Sequence, residues 1–156
     1  MDNAKAGYSA FDTAINYISF KDRTVKEIQD KLREKGYSSY DIEKAVEKLR
    51  YYGYLNDSNY ALSYIRSNMN KKGMKRINME LLQKGIDRST ITDISEEVEI
   101  DEVSIIGQMI ERRYGDIDFE NEKEKRRIFN FFIRRGFCYE NISKAMENNK
   151  KVMNFF

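Results

Sequence analysis

The sequence predicts an all-α protein in which a unit of three helices occurs three times. Apolar residues recur with helical spacing along nearly the whole chain, and no segment shows the alternation of a convincing strand. The chain has no proline and eight glycines, and 35% of its residues are charged, which is typical of exposed helices that end at glycines. A corner made of a basic residue, glycine and an apolar residue occurs in "KLREKGY", "ELLQKGI" and "FFIRRGF". This repetition favours a helical array.

The first unit contains three predicted helices, of which the first lies near residues 9–19. Thr24 is the candidate N-cap of the second helix, Glu27 completes a capping box three residues later, and Gly36 ends the helix. The third helix is predicted in "SSYDIEKAVEKLRYYG", with either serine of the pair as its cap and the final glycine as its stop. Its inward-facing residues have helical spacing: Ile42, Ala45, Val46 and Leu49.

The later helices repeat this pattern. The fourth opens at Asp57, and the others are predicted near residues 74–84, 88–98, 102–114, 121–135 and 139–148. Gly36, Gly85 and Gly136 lie 49 and 51 residues apart, and each has isoleucine eight residues before it and six residues after it. The predicted repeats and tail therefore span residues 1–55, 56–100, 101–149 and 150–156.

Charged residues are grouped into blocks of one sign, although the net charge of +2 is too small to indicate a partner. Residues 66–84 include six basic residues and one acid, and residues 125–135 include five basic residues and no acid. Acidic blocks cover residues 93–102 and 116–122. The pattern fits either a patchwork of solvated charge or an extended basic binding face. The candidate binding residues for the second interpretation are Lys71, Lys72, Lys75, Arg76, Lys84, Arg126, Arg127, Arg134 and Arg135.

The sequence indicates no enzyme. It has no histidine, and its single cysteine, Cys138, can form neither a structural zinc site nor an internal disulfide. The stretch "NKKGMKR" lacks the P-loop spacing, so we expect no catalytic residue, metal or cofactor. No apolar run reaches the length of a membrane span, and the N-terminus lacks the pattern of a signal peptide. We therefore expect a cytoplasmic protein with no membrane contact and no small-molecule substrate.

The stretch "KLRYYGYLNDSNYA" places four tyrosines among basic residues. Tyrosines stack on exposed bases in proteins that bind single strands. At this spacing, however, we expect Tyr54 and Tyr60 to fill the junction between helices, and Tyr51 and Tyr52 to do so to a smaller extent.

The stretch "YYGYLNDSNYALSYI" resembles the RecX family, bacterial regulators of the RecA recombinase. The matching positions are Gly53-Tyr54, Leu55, Asn56-Asp57 and Tyr60-Ala61. Two corners and the opening "AINYISFKDRTVKEIQDKLREKGY" are also similar to the family pattern; the corners are Lys84-Gly85-Ile86 and Arg134-Arg135-Gly136-Phe137. The resemblance covers residues 10–149. Leu55 would seat the fourth helix, Asp57 is expected to cap it, and Ala61 would allow a close helix contact.

The resemblance implies an elongated, curved array of three tandem three-helix repeats that acts without catalysis in DNA repair, recombination and the SOS response. Proteins of this family are thought to lie in the groove of the RecA–DNA filament or at its growing end. They thereby inhibit ATP hydrolysis, strand exchange and filament extension. The implied partners are the RecA filament and, as an auxiliary contact, single- or double-stranded DNA. We infer in addition that the acidic blocks pair with basic recombinase surfaces, and we expect a monomer.

Two other classes of function remain open. A stand-alone helical DNA- or RNA-binding protein would place the basic blocks directly on phosphates. Its binding would weaken steeply with salt whether or not recombinase is present. A generic helical scaffold for an unrelated protein would show neither behaviour.

Overall fold

The computed structural model describes residues 7–115 and 117–153, and this part of the chain contains helices and no strand. The helices are α1 Ala10–Ile18, α2 Val25–Glu34, α3 Ser39–Tyr51, α4 Asp57–Asn68, α5 Met74–Gln83, α6 Arg88–Glu97, α7 Glu102–Tyr114, α8 Glu122–Arg134 and α9 Tyr139–Met153. None of these described helices has the length and apolar character needed to cross a membrane.

The all-α prediction is confirmed, and eight helices lie within a residue or so of their predicted bounds. The last helix differs, because α9 continues to Met153 instead of ending near residue 148. The predicted first repeat, one acidic block and the tail also include residues 1–6, 116 and 154–156, which lie outside the described residues. The predicted repeat boundaries stay a prediction.

The described residues divide into two compact units, and the division does not follow the predicted repeat boundaries. The first unit holds the described residues up to Ser63 together with Leu81–Ile94. The second unit holds Tyr64–Glu80 and the described residues from Ser95 onward. Each unit is therefore built from two stretches of chain.

Each unit has its own apolar core. In the first unit α1, α2 and α3 pack around Ile28 and Leu32, which are fully buried. In the second unit α7, α8 and α9 enclose Ile106 and Phe132. Full burial of such a side chain contributes about 1.5–3 kcal/mol. The four inward-facing positions predicted for α3 are all buried, as expected: Ile42, Ala45, Val46 and Leu49.

Helices α2 and α3 begin with the caps that the sequence predicts. The Glu27 N–H donates to Thr24 Oγ1 at 3.2 Å, and the Thr24 N–H donates to the Glu27 carboxylate at 2.9 Å. This reciprocal pair is the predicted capping box. At the start of α3 the Asp41 N–H donates to Ser38 Oγ at 3.1 Å, so Ser38 is the cap.

The prediction that Asp57 caps α4 is wrong. The Asn59 N–H donates instead to the Asn56 side-chain oxygen at 3.0 Å, so Asn56 caps the helix. The Asp57 carboxylate accepts from the N–H of Val25, the first residue of α2, at 3.0 Å. Burial raises the pKa of Asp57, although this hydrogen bond opposes the shift. Asp57 therefore links two helices that are distant in sequence.

The second unit contains an equivalent contact. Glu102, the first residue of α7, accepts at 2.6 Å from the N–H of Met74, the first residue of α5. The same carboxyl group accepts from the Asn141 side chain at 2.8 Å. In each unit, therefore, an acidic residue that opens one helix satisfies the first free amide of another helix.

The corners at Gly85 and Gly136 each lie against the first turn of another helix. Both glycines have positive φ, at 84° and 89°, as tight helix ends require. A Cβ atom on Gly85 would collide with the Lys26 side chain of α2, and a Cβ atom on Gly136 would collide with Arg76 of α5. Gly36 has the same conformation, but the space around it is open. Two of the three corners are therefore packing sites as well as turns.

The expectation that Tyr54 lies in the core is wrong, since 55% of its surface is exposed. After the corner at Gly53, Leu55 enters the core, and the residue before it, Tyr54, is therefore turned outward. Tyr60 is half-buried, while Tyr51 and Tyr52 are exposed.

Candidate functional site

The predicted binding residues are divided between the two units. Eight of the nine lie in the second unit, and Lys84 lies in the first. Lys84 Nζ is 3.4 Å from a Glu27 carboxylate oxygen. Burial lowers the pKa of Lys84, but its hydrogen bond with Tyr60 and the charge of Glu27 give a net rise. Lys84 therefore has an acidic partner, and its predicted binding role stays a prediction.

In the second unit the corner of α8 is attached to the loop before α5. The Gly73 N–H donates to the Arg135 carbonyl at 2.9 Å. A Cβ atom on Gly73 would collide with the backbone of Gly136, so only two glycines allow the segments to approach this closely. The Arg135 guanidinium also donates to the Lys71 carbonyl at 3.4 Å. These contacts bring residues 71–73 of the first predicted basic block next to the corner that ends the second block.

One acidic residue lies among these cations. The Glu80 carboxylate accepts hydrogen bonds from Lys72 at 2.7 Å, from Tyr64 at 2.7 Å and from Arg76 at 3.0 Å. Burial raises the Glu80 pKa, but these hydrogen bonds outweigh burial and lower the pKa to about 2. Glu80 therefore stays ionised and neutralises one of the two cations that it contacts. Lys71 and Lys75 are exposed and form no ion pair within the described part of the chain.

Three arginines lie against aromatic rings at the end of α7 and along α8. The guanidinium carbons of Arg135 and Arg113 are 4.3 and 4.5 Å from the Phe131 ring centroid. Arg127 lies 5.5 Å from the Tyr114 ring, which packs edge-on against Phe131 with centroids 6.0 Å apart. We call Arg113, Arg127 and Arg135 the arginine row. Cation–π contacts at exposed sites contribute about 0.5–1 kcal/mol each and restrict the guanidinium position.

The arginine row has no ion pair among the residues that the structure describes. Arg113 and Arg127 are exposed and Arg135 is half-buried. Arg126 and Arg134 are exposed, and their side chains have no hydrogen bond to a described residue. An unneutralised guanidinium presents a planar fork of donors that matches the oxygens of a phosphate or carboxylate. The surface formed by the row and the 71–76 segment is therefore suited to a ligand with repeated anionic groups.

The sequence interpretation missed Arg113. The available signal was "ERRYG", an arginine pair beside a tyrosine, which is also the ordinary composition of a helix C-terminus. Only the fold places the ring of Phe131, from α8, against an arginine of α7. Among the described residues no group of histidine, cysteine, aspartate or glutamate side chains comes together as a metal site. The expected absence of a cofactor stays a prediction.

The described residues therefore define an all-α protein of two helical units, the second of which carries the arginine row. Two family models match it: the first three-helix domain of RecX over residues 10–49, and the second over residues 56–93. The chain is 35% identical over 138 residues to the regulatory protein RecX of Finegoldia magna, and 33% identical over 141 residues to that of Vibrio vulnificus. It belongs to the RecX family.

The extent of the match differs among the relatives. The alignment with the Finegoldia magna protein covers 84% of this chain and 67% of that protein. The alignment with the Vibrio vulnificus protein covers 90% of this chain and 92% of that protein. For the Bacillus cytotoxicus relative, 32% identical, the chain spans 54% of its length. The crystal structure of RecX from Lactobacillus salivarius superimposes with a TM-score of 0.78 at 30% identity, covering 91% of this chain and 95% of that one. The relatives are named regulatory proteins.

Proposed function

We propose that the protein regulates the RecA recombinase by binding the RecA–DNA filament, where it inhibits ATP hydrolysis, strand exchange and filament extension. Membership of the RecX family supports the regulatory part of this proposal. The observation that carries the filament-binding part is the arginine row, which has three guanidinium groups with no acidic partner among the described residues.

The physical basis is attraction between this surface and the repeated charges of a nucleoprotein filament. Lys and Arg side chains that contact phosphates release counterions, and each contact strengthens binding without any sequence preference. Because the aromatic rings already restrict the three guanidinium groups, less side-chain entropy is lost on binding. The acidic blocks would pair with basic surfaces of the recombinase.

The functional residues in this proposal are the eight predicted residues of the second unit and Arg113. Lys71 and Lys75 contribute unpaired charge, whereas Lys72 and Arg76 share the Glu80 carboxylate and contribute less. Lys84 contributes least, because Glu27 partly neutralises it. The proposal places the protein in the cytoplasm as a monomer acting in DNA repair, recombination and the SOS response.

The same arginine surface also favours a second function, a stand-alone DNA- or RNA-binding protein. That function would need no recombinase, because the arginines would contact phosphates directly. The two functions differ in the concentration at which an effect appears. A filament regulator acts when few copies are bound, and a plain nucleic-acid binder acts only when the strand is covered.

The test is ATP hydrolysis by the matching recombinase on single-stranded DNA, with the protein titrated in. A parallel titration of labelled DNA alone, at the same salt concentration, gives the concentration that covers the strand. We expect inhibition well below that concentration. Inhibition that begins only when the DNA is saturated would contradict filament regulation and favour the second function.

A further inference from the structure

The first unit contains a polar pocket of about 210 Å³, and none of its lining residues belongs to the arginine row or to the 71–76 segment. It lies between the loop before α2 and the N-terminal turns of α4. Its lining includes Asp22, Arg23, Tyr54, Asn56, Asn59 and Tyr60. This volume is large enough to admit a small planar ligand.

An exposed aromatic surface continues from this pocket. Tyr54 forms part of the pocket wall, and its ring centroid lies 6.4 Å from that of Tyr52. Tyr52 in turn packs edge-on against Tyr51 at 5.3 Å and lies 6.3 Å from Phe11. Between 55% and 84% of the surface of each of these three tyrosines is exposed. Adjacent exposed rings are typical of a surface on which a ligand stacks.

The pocket offers both donors and acceptors of hydrogen bonds. The Asn56 side-chain oxygen is used by the helix, but its NH₂ group and the whole Asn59 amide have no partner among the described residues. The Arg23 guanidinium lies 4.0 Å from the Tyr17 ring, and its buried Nε–H has no acceptor in the described structure. The negative charge of the Asp22 carboxylate offsets the positive charge of Arg23 in the pocket lining. The pocket therefore suits a neutral polar ligand better than a phosphate.

We propose that this pocket takes one unstacked base of a single-stranded nucleic acid. A nucleobase is planar, neutral and rich in donors and acceptors, so it would stack on Tyr54 and hydrogen-bond to the amides of Asn56 and Asn59. Side-chain amides are among the usual partners of base edges. Lys48 lies 4.2 Å from the Phe11 ring, at the far end of the aromatic surface, where it would meet a backbone phosphate. This contact needs no recombinase, so it is independent of the proposed regulation.

The chain has no tryptophan, which allows a direct test. The variant Tyr54→Trp places one fluorophore at the pocket, and Tyr40→Trp places one at the opposite end of α3, where Tyr40 is also 68% exposed. Each is titrated with a single-stranded oligonucleotide and with an abasic strand of the same length and charge. We expect the intact strand to quench Tyr54→Trp by stacking, the abasic strand to leave it unquenched, and neither strand to quench Tyr40→Trp.

A second variant tests the hydrogen bonds. Asn59→Ala should weaken binding of the intact strand by up to about ten-fold, the value of one hydrogen bond, and leave binding of the abasic strand unchanged. Equal quenching of Tyr54→Trp by both strands would overturn the proposal, because phosphates rather than bases would then be the ligand. Quenching by recombinase in the absence of DNA, with none by the intact strand, would overturn it in favour of a protein-docking surface. Loss of ATPase inhibition would not affect either outcome.

Discussion

The corners at Gly85 and Gly136 have the same backbone conformation, but only the basic residue of the Gly85 corner is paired with an acid. In each, a glycine with positive φ packs on the first turn of another helix, and the carbonyl just before the glycine accepts a hydrogen bond. At Gly85 the donor is the Thr24 hydroxyl, at 2.7 Å, and at Gly136 it is the Gly73 N–H, at 2.9 Å. Both corners therefore connect two helices in the same way, whether or not their basic residue is paired with an acid.

The difference in pairing comes from the third residue of the helix on which each corner packs. The third residue of α2 is Glu27, which pairs with Lys84, the basic residue of the Gly85 corner. The third residue of α5 is Arg76, so Arg135 meets no acid there and lies on the Phe131 ring instead. A repeated corner thus becomes a candidate binding element only where the facing helix lacks the acid.

The largest expected effect concerns the packing of the corners. Gly36→Ala should cost about 1–2 kcal/mol of unfolding free energy, because alanine is strained at positive φ. Gly136→Ala should cost roughly a further 1–3 kcal/mol, because its Cβ atom also collides with Arg76. Urea unfolding of both variants gives the comparison. Equal losses would show that the Gly136 corner is a turn only.

A smaller effect is expected at Glu80. Its pKa is about 2 in the folded protein and near 4.5 otherwise, so its stabilising contribution is complete above pH 4.5. That contribution is lost as the pH falls from 4.5 towards 2. Glu80→Gln should lower stability by about 1–3 kcal/mol at pH 7 and flatten the acid dependence in this window. The exposed Glu47→Gln serves as the control, and an unchanged acid profile for Glu80→Gln would contradict the network.

The smallest effect distinguishes unpaired from paired arginines. Arg113→Ala should reduce the salt dependence of DNA binding by about one phosphate contact. Arg33→Ala should not change it, because Arg33 already pairs with Asp30 at 2.8 Å in the first unit. Oligonucleotide binding measured over a salt series gives both slopes. Identical slopes for the two variants would contradict a role of the arginine row in DNA binding.

The sequence predicts the helices well because their determinants are local. The capping box of Thr24 and Glu27 involves residues three apart, and the glycine stops need no distant partner. The errors arise from contacts between distant residues. Asp57 accepts a hydrogen bond from the first residue of α2 instead of capping its own helix, because Val25, 32 residues earlier in the chain, supplies a free N–H beside it.

The candidate site is predictable only in part for the same reason. The two basic blocks are visible in the sequence, and parts of both meet in the second unit through Gly73 and Arg135. The pairing of Lys84 with Glu27, 57 residues apart, and the stacking of Arg113 on Phe131 depend on helix packing. Spacing along one chain does not reveal which charges are neutralised in the folded protein.

The most direct measurement is inhibition of recombinase ATP hydrolysis by charge-reversed variants of the two units. Lys75→Glu with Arg76→Glu, and Arg134→Glu with Arg135→Glu, alter the second unit, while Arg33→Glu with Lys44→Glu alters exposed, ion-paired cations of the first. Circular dichroism checks that helical content is unchanged. We expect both second-unit pairs to abolish inhibition and the first-unit pair to retain it. Inhibition that survives both second-unit pairs, or that is lost equally in the first-unit pair, would contradict the account.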